Sequence, residues 1–374
     1  HKWRVTGANN KSGIFQLQIV AQGMTTIDVT ANKLLSTDLA DEVEVRIGEQ
    51  HVSSGGYVFF RGRPEDVVVS PKPGSPIAGY PIALERTATS PLLPTDLSSE
   101  PAFDDPGTTH KWRVTGANNK SGIFQLQLTA QGMTTINVTA NKLLSTDLAD
   151  EAVVTVNGKE IPPDGNLFFR GEAQPIGLML KANSPLAGHE LTLTCNIKTG
   201  LDSRDVISLP EFNTPQVAHH WDVKGSNNSG TFQLVLFGKN MTVPITFEVS
   251  RVLSRELKNE IRNPYQSMDL QAGRDFKRFE SILLPHSPLI EMAKKKPGLF
   301  KFDAHSFDGY YDVYGAVVTP ERGSFVRLTG SNGLAFSIKV TNYPPGAQGW
   351  LLRAQFDVMG IGMNPYFIQF RVRN

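Results

Sequence analysis

The stretch Phe302-Asp303-Ala304-His305-Ser306-Phe307-Asp308-Gly309-Tyr310-Tyr311-Asp312 gathers three carboxylates, a histidine, a serine and two tyrosines. Such side chains do acid–base or nucleophilic chemistry when a base and a nucleophile come within hydrogen-bond reach, or when two acids hold a fixed spacing. Adjacency in sequence supplies neither geometry. Asp303, Asp308 and Asp312 suit turns equally well, and His305, Tyr310 and Tyr311 suit a ligand or partner surface. The expectation is a contact site, and no catalytic residue is assigned. The sequence contains no phosphate-cradling glycine loop, zinc-protease helix motif or serine-hydrolase elbow.

Oxygen ligands for calcium are the second candidate chemistry: Asp38, Asp41 and Glu42 recur as Asp147, Asp150 and Glu151. The third occurrence reads Glu256, Asn259 and Glu260 beside Arg255 and Lys258, which works against a shared cation site. A full calcium loop, with alternating ligands and a turn glycine, is missing. Solvated acids or helix-end electrostatics account for these residues. His1, His110 and the His219-His220 pair are spaced too widely to specify zinc and suit contacts at module entrances. Neither a metal nor a cofactor is expected. The single cysteine, Cys195, lies in the apolar alternation ELTLTCNIKTG and reads as a buried core thiol; no intrachain disulfide can form.

Trp3, Trp112 and Trp221 occupy equivalent positions, each followed after a short loop by Phe15, Phe124 or Phe232. Exposed, they would form a repeated aromatic platform for sugar rings, strengthened by linkage. Alternating with valine in a sheet, they would pack a core, which is the favoured reading. The Asn9-Asn10, Asn118-Asn119 and Asn227-Asn228 pairs lie among glycines and suit turns. Asn10, Asn119, Asn137, Asn227 and Asn240 also match the N-glycosylation spacing, which matters only on a glycosylating secretory route.

The elements that must position these residues are repeated. Residues 1–42 return from His110 with changes only at Ile19/Leu128, Val20/Thr129 and Asp28/Asn137, and a diverged third copy opens at His219. Each opening reads as a short antiparallel meander: a strand over Lys2 to Thr6, an Asn/Gly loop, a strand over Ile14 to Val20 with Phe15, Leu17 and Ile19 on one face, and a strand over Thr25 to Ala31. A capped helical turn is expected near Ser36 or Thr37, with a short helix over Ser254 to Ile261.

The remainder of each copy supplies further strands. Expected strands in copy one span Glu42 to Ile47, Tyr57 to Arg61, Val67 to Val69 and Tyr80 to Leu84. Pro91 to Gly107 reads as an extended linker, with residues 209–216 in the equivalent place. Between Arg262 and Leu299, helical stretches are expected around Arg274 to Leu284 and Pro288 to Lys295 before strand signals resume.

These patterns predict a mainly β chain of tandem immunoglobulin-like β-sandwich modules, the last with a helical insertion. The Cys...Trp...Cys constellation of true immunoglobulin domains is missing. The expected division is a β-sandwich repeat module over 1–109, another over 110–218, and a divergent C-terminal β-rich module with its insertion over 219–374.

With 37 basic and 36 acidic residues, no phosphate-binding surface is indicated, so nucleic acid is not an expected partner. No run approaches a membrane-spanning helix. The chain opens at a repeat boundary without an initiator methionine or signal-like segment, as a mature product or an excised piece would. Organisation alone therefore predicts a non-enzymatic, surface-exposed or secreted adhesion and recognition protein. Its repeats act as spacers and its C-terminal module as the contact head for a host-surface or structural protein or a glycan. The expected location is extracellular or on a cell or virion surface. Two alternatives stand beside this reading. One is a carbohydrate-binding or polysaccharide-processing protein; the other is a self-associating component of a virion, secretion apparatus or surface layer.

Overall fold

The computed structural model describes every residue except 1, 9–10, 53–55, 263, 265–266, 272–276, 297, 307–316, 321–324, 327, 342–349 and 374. The chain divides into two compact units: 1–153 with 179–189 and 238–244, and 154–178 with 190–237 and 245–374.

The first unit opens with an antiparallel pair, β1 (Gly13–Ile19) and β2 (Ile27–Leu34), followed by the one-turn helix α1 (Leu39–Glu42). Lys2 to Thr6, expected as a strand, is irregular here, although its second copy is a strand. Nine strands then build a sandwich: β3 (Val43–Ile47), β4 (Gln50–His51), β5 (Val58–Phe60), β6 (Glu65–Pro71), β7 (Ile82–Ala88), β8 (Leu97–Glu100), β9 (Lys111–Gly116), β10 (Gly122–Ala130) and β11 (Ile136–Leu144). One sheet has the order β4-β3-β6-β9-β8, the other β5-β11-β10-β7. Period-two alternation explains the layering, because Val43, Val45 and Ile47 on β3 and Phe124, Leu126 and Leu128 on β10 are buried while their neighbours face outward. Helix α2 (Leu148–Glu151) closes the unit's main segment.

The sequence repeat and the sandwich are out of phase. Strand β9 belongs to the second copy, yet it pairs with β6 and β8 of the first, so residues 109/110 fall between paired strands, β8 and β9. The expected linker over Pro91 to Gly107 is corrected by the same pairing. Leu97–Glu100 is a strand, and Leu92, Leu97 and Phe103 are buried in the core. Its prolines set turns between apolar anchors; the cis peptides before Pro91 and Pro101 belong to those turns.

The second unit holds, apart from residues 152–153, 179–180 and 238 at strand ends, β12 (Ala152–Val156), β13 (Lys159–Glu160), β14 (Leu167–Phe169), β15 (Ala173–Leu180), β16 (Leu191–Thr199), β17 (Val206–Leu209), β18 (His220–Gly225), β19 (Gly230–Gly238), β20 (Ile245–Thr246) and β21 (Ser250–Leu253). The orders β13-β12-β15-β18-β17 and β14-β21-β19-β16 repeat the first sandwich, and residues 218/219 again fall between paired strands, β17 and β18.

The last sandwich contains β22 (Ser267–Gln271), β23 (Lys277–Ile282), α3 (Leu289–Lys295), β24 (Phe300–Ser306), β25 (Val317–Pro320), β26 (Phe325–Val326), β27 (Leu328–Thr329), β28 (Gly333–Thr341), β29 (Trp350–Val358) and β30 (Tyr366–Arg373). Its sheets run β22-β30-β29-β24-β26 and β23-β28-β25. The parallel pair β5–β11 recurs as β14–β21 and β22–β30, one in each sandwich. The helix expected over Arg274 to Leu284 is a strand across Lys277–Ile282, since six residues pair with β28 and tertiary pairing outweighs local propensity. The second expected helix is present as α3. Ser254 to Ile261 holds a 3-10 turn, Leu257–Glu260, with Leu257 and Ile261 buried. The fold is therefore mainly β, a tandem series of immunoglobulin-like sandwiches with a small helix in the last.

Candidate functional site

The chemistry that recurs in the structure is a buried carboxylate at the start of each sandwich. Glu151, the last residue of α2, is fully buried and lies in a cage of donors. The Ser145 backbone N–H donates to Oε1 at 2.7 Å, the Ser184 hydroxyl donates to Oε2 at 2.6 Å, and the Ser121 hydroxyl donates to Oε1. Arg61 adds a guanidinium, Nη2 to Oε1 at 3.4 Å, while its Nε donates to Ser121 at 3.0 Å and its Nη1 to Asp150 at 3.3 Å. A carboxylate removed from water is tolerated only when its lone pairs and charge are both answered, and this cage answers both.

Backbone contacts fix Arg61 in that position. It follows β5, its N–H donates to the Leu144 carbonyl at 2.8 Å, and Gly62 N–H donates to Gly116 at 3.0 Å. Gly62 sits at φ +64, a left-handed conformation that lets the chain turn away directly after the arginine.

Glu260 repeats the arrangement in the second unit. It accepts from Ser254 N–H at 2.8 Å, from Ser287 at 2.7 Å, from Ser229, and from Arg170 Nη2 at 3.2 Å. This seam carries an extra clamp. Arg255 grips Glu172 with two bonds of 2.6 Å and stacks 4.2 Å from the Phe169 ring centre. The corresponding residues of the first seam, Thr146 and Arg63, cannot form that pair. Glu42 has the serine donors, Ser12, Ser36 N–H at 2.7 Å and Ser75, but among the described residues no guanidinium. Burial pushes its carboxyl up, yet the Ser12, Ser75 and Ser36 bonds and the Lys72 charge outweigh that and hold it below the usual glutamate range.

Sequence reasoning placed Glu42, Glu151 and Glu260 among the acids but missed the arginines and serines that enclose them. The signal was present as a 109-residue recurrence: Ser12/Ser121, Glu42/Glu151, Arg61/Arg170 and Ser75/Ser184. The neighbouring acids have other partners. Asp38 and Asp147 cap α1 and α2, accepting from Ala40 and Ala149 N–H at 3.0 and 2.9 Å, and Asp41 accepts from Ser36 at 2.9 Å. Among the described residues no group of three or more His, Cys, Asp or Glu could hold a metal ion.

Trp112 and Trp221 are buried at 1% and 0% exposure, whereas Trp3 is 70% exposed. Asp303 and His305 lie on β24, opposite Gln355 and Arg353 of β29. Asp308, Tyr310, Tyr311 and Asp312 lie outside the described residues. His110 is buried, its Nε2 2.7 Å from the Tyr80 carbonyl. Cys195, the middle residue of β16, is half-buried rather than deep in the core, and burial pushes its thiol up to about 12.

No protein-family model and no curated protein matches the sequence. Solved structures with a similar fold include the Escherichia coli adhesin FdeC, 13% identical over 88% of this chain and 100% of that one, with a TM-score of 0.35. The Dpr2 Ig1-Ig2 complex with DIP-Theta is 11% identical over 88% and 98%, with a TM-score of 0.33. The D00-D0 domain of intimin is 12% identical over 59% and 100%, with a TM-score of 0.30. Likenesses this distant concern the sandwich fold alone and carry no argument about activity. Among the described residues no helix is long and apolar enough to cross a membrane.

Proposed function

We propose that this chain is a non-enzymatic, surface-exposed or secreted adhesion and recognition protein. Successive sandwiches space a C-terminal contact module that takes a host-surface or structural protein or a glycan. The working module is the sandwich: about residues 37–145, then 146–254, then 255–373. The observation that carries this reading is the recurrence of one locked seam, Arg61 with Glu151 and Arg170 with Glu260, at the repeat interval. A spacer needs the same join copied from module to module, whereas an enzyme needs a constellation made once.

The last sandwich departs from the others in ways that suit a contact role. It carries α3 directly after Ser287, in the loop where the first sandwich has a short turn after Ser75, and it adds β26 beside β24. The candidate contact residues Asp303, His305, Asp308, Tyr310, Tyr311 and Asp312 belong to β24 and the segment after it. The test compares binding of the full chain and of a chain ending at residue 254 to a mixed array of glycans and host-surface proteins. Saturable binding by the full chain alone is expected. Equal binding by both would overturn the contact-head assignment.

A further inference from the structure

Residues 1–42 and 110–151 are almost the same sequence in different surroundings. The β1–β2 pair reproduces β10–β11 residue for residue, from Gly13↔Leu34 and Gly122↔Leu143 to the shared bulges between Phe15/Leu17 and Phe124/Leu126. In the second copy β7 pairs with the outer edge of β10, β5 pairs with that of β11, and Trp112, Phe124 and Leu126 are buried. Among the described residues the sheet of the first copy has two strands, and Trp3, Val5 and Ile27 are more than half exposed.

The same half-finished state is found at Glu42. A cleft of about 600 Å³ lies beside it, bounded in part by Gly7, Ser12, Leu35 and Glu42. Their counterparts one repeat later are Gly116, Ser121, Leu144 and Glu151, the residues that hold Arg61 and Gly62 through backbone and side-chain bonds. The cleft therefore presents the receptor half of the arginine seam, with the serine donors already on the carboxylate.

We propose that this face binds a first-half sandwich segment of the kind spanning residues 43–109. The segment's Phe-Phe-Arg-Gly strand pairs in parallel with β2, its arginine enters the cleft to reach Glu42 and Ser12, and its apolar strands cover Trp3. An unpaired sheet edge beside an apolar face favours strand addition, and the charge pair fixes the register. The occupant is identified by complementarity already realised between residues 43–109 and 110–151.

The test adds the polypeptide 43–109, which contains no tryptophan, to the full chain. Tryptophan emission should shift to the blue with protection from acrylamide, and hydrogen exchange should slow across 13–34. Trp3→Phe in the full chain should remove the spectral change and keep the exchange protection, which separates this face from strand replacement in the first sandwich. Arg61→Ala in the added polypeptide should weaken binding about 100-fold. Overturning results are an unchanged spectrum with unchanged exchange, equal binding by the alanine polypeptide, or burial of the face by a second copy that the polypeptide does not displace.

Discussion

Arg61 reaches the buried carboxylate of Glu151 across 90 residues of sequence, 3.4 Å from Nη2 to Oε1. Arg170 stands in the same relation to Glu260, also 90 residues on, at 3.2 Å. Each pair ties the strand end of one sandwich to the first turn of the next, so it joins modules where an ordinary surface ion pair would only decorate them.

Arg61→Ala should therefore cost about 3 kcal/mol of stability, because it strands a buried charge. Combining Arg61→Met with Glu151→Gln should cost less than Arg61→Ala alone, since Gln can still accept from Ser145 N–H without a charge to answer. Urea unfolding of the single and double variants measures the coupling. Additive costs would show that the pair does no joining.

Asp205 gives a pH prediction. Burial pushes its carboxyl up, but bonds from Asp202 N–H, Asn228 and Ser226 and the nearby Arg204 charge outweigh this and hold it below its ordinary value of 3.8. A carboxyl lowered on folding stabilises fully above its unfolded value. That contribution is lost as pH falls from 3.8 through the lower folded value. Asp205→Asn should lower stability at pH 7 and show a smaller further loss at pH 3 than the parent. Denaturation at both pH values checks it, and parallel losses would contradict it.

Leu97 and Phe103 test the fate of the proline-rich stretch. Leu97→Ala should destabilise by about 2–4 kcal/mol, as core truncations do, whereas a change in a free linker would be silent. Thermal or urea denaturation distinguishes the two.

The thiol of Cys195, pushed up to about 12 by burial, should stay almost wholly protonated at pH 7. Alkylation by iodoacetamide, followed by mass spectrometry, should be slow in the folded chain and fast in urea. Equal rates would place the thiol in water.

Much of the fold was legible because period two is a local signal. The alternation of Phe124, Leu126 and Leu128 marks β10 without any knowledge of its partners, and Val43–Ile47 and Val58–Phe60 lie within their expected strands. The phase of the modules was not legible. Repetition in sequence fixes a period but no origin, and which strands pair depends on contacts such as Val67↔Trp112 that no local pattern reveals. The helical reading of Lys277–Ile282 failed for the same reason, its partner β28 lying some fifty residues on. The carboxylate cage was half legible: the glutamates stood out as acids, but a serine or arginine becomes part of a site only when the chain brings it to the carboxylate.

The most direct test compares two fragments of equal length, residues 1–109, which follow the sequence repeat, and residues 37–145, which follow the sandwich. Cooperative urea unfolding with a strand-type circular dichroism spectrum is expected for 37–145, and a broad, non-cooperative transition for 1–109 at a dilution where residues 43–109 of one fragment do not fill the 1–42 face of another. A cooperative transition in 1–109, with none in 37–145, would contradict it.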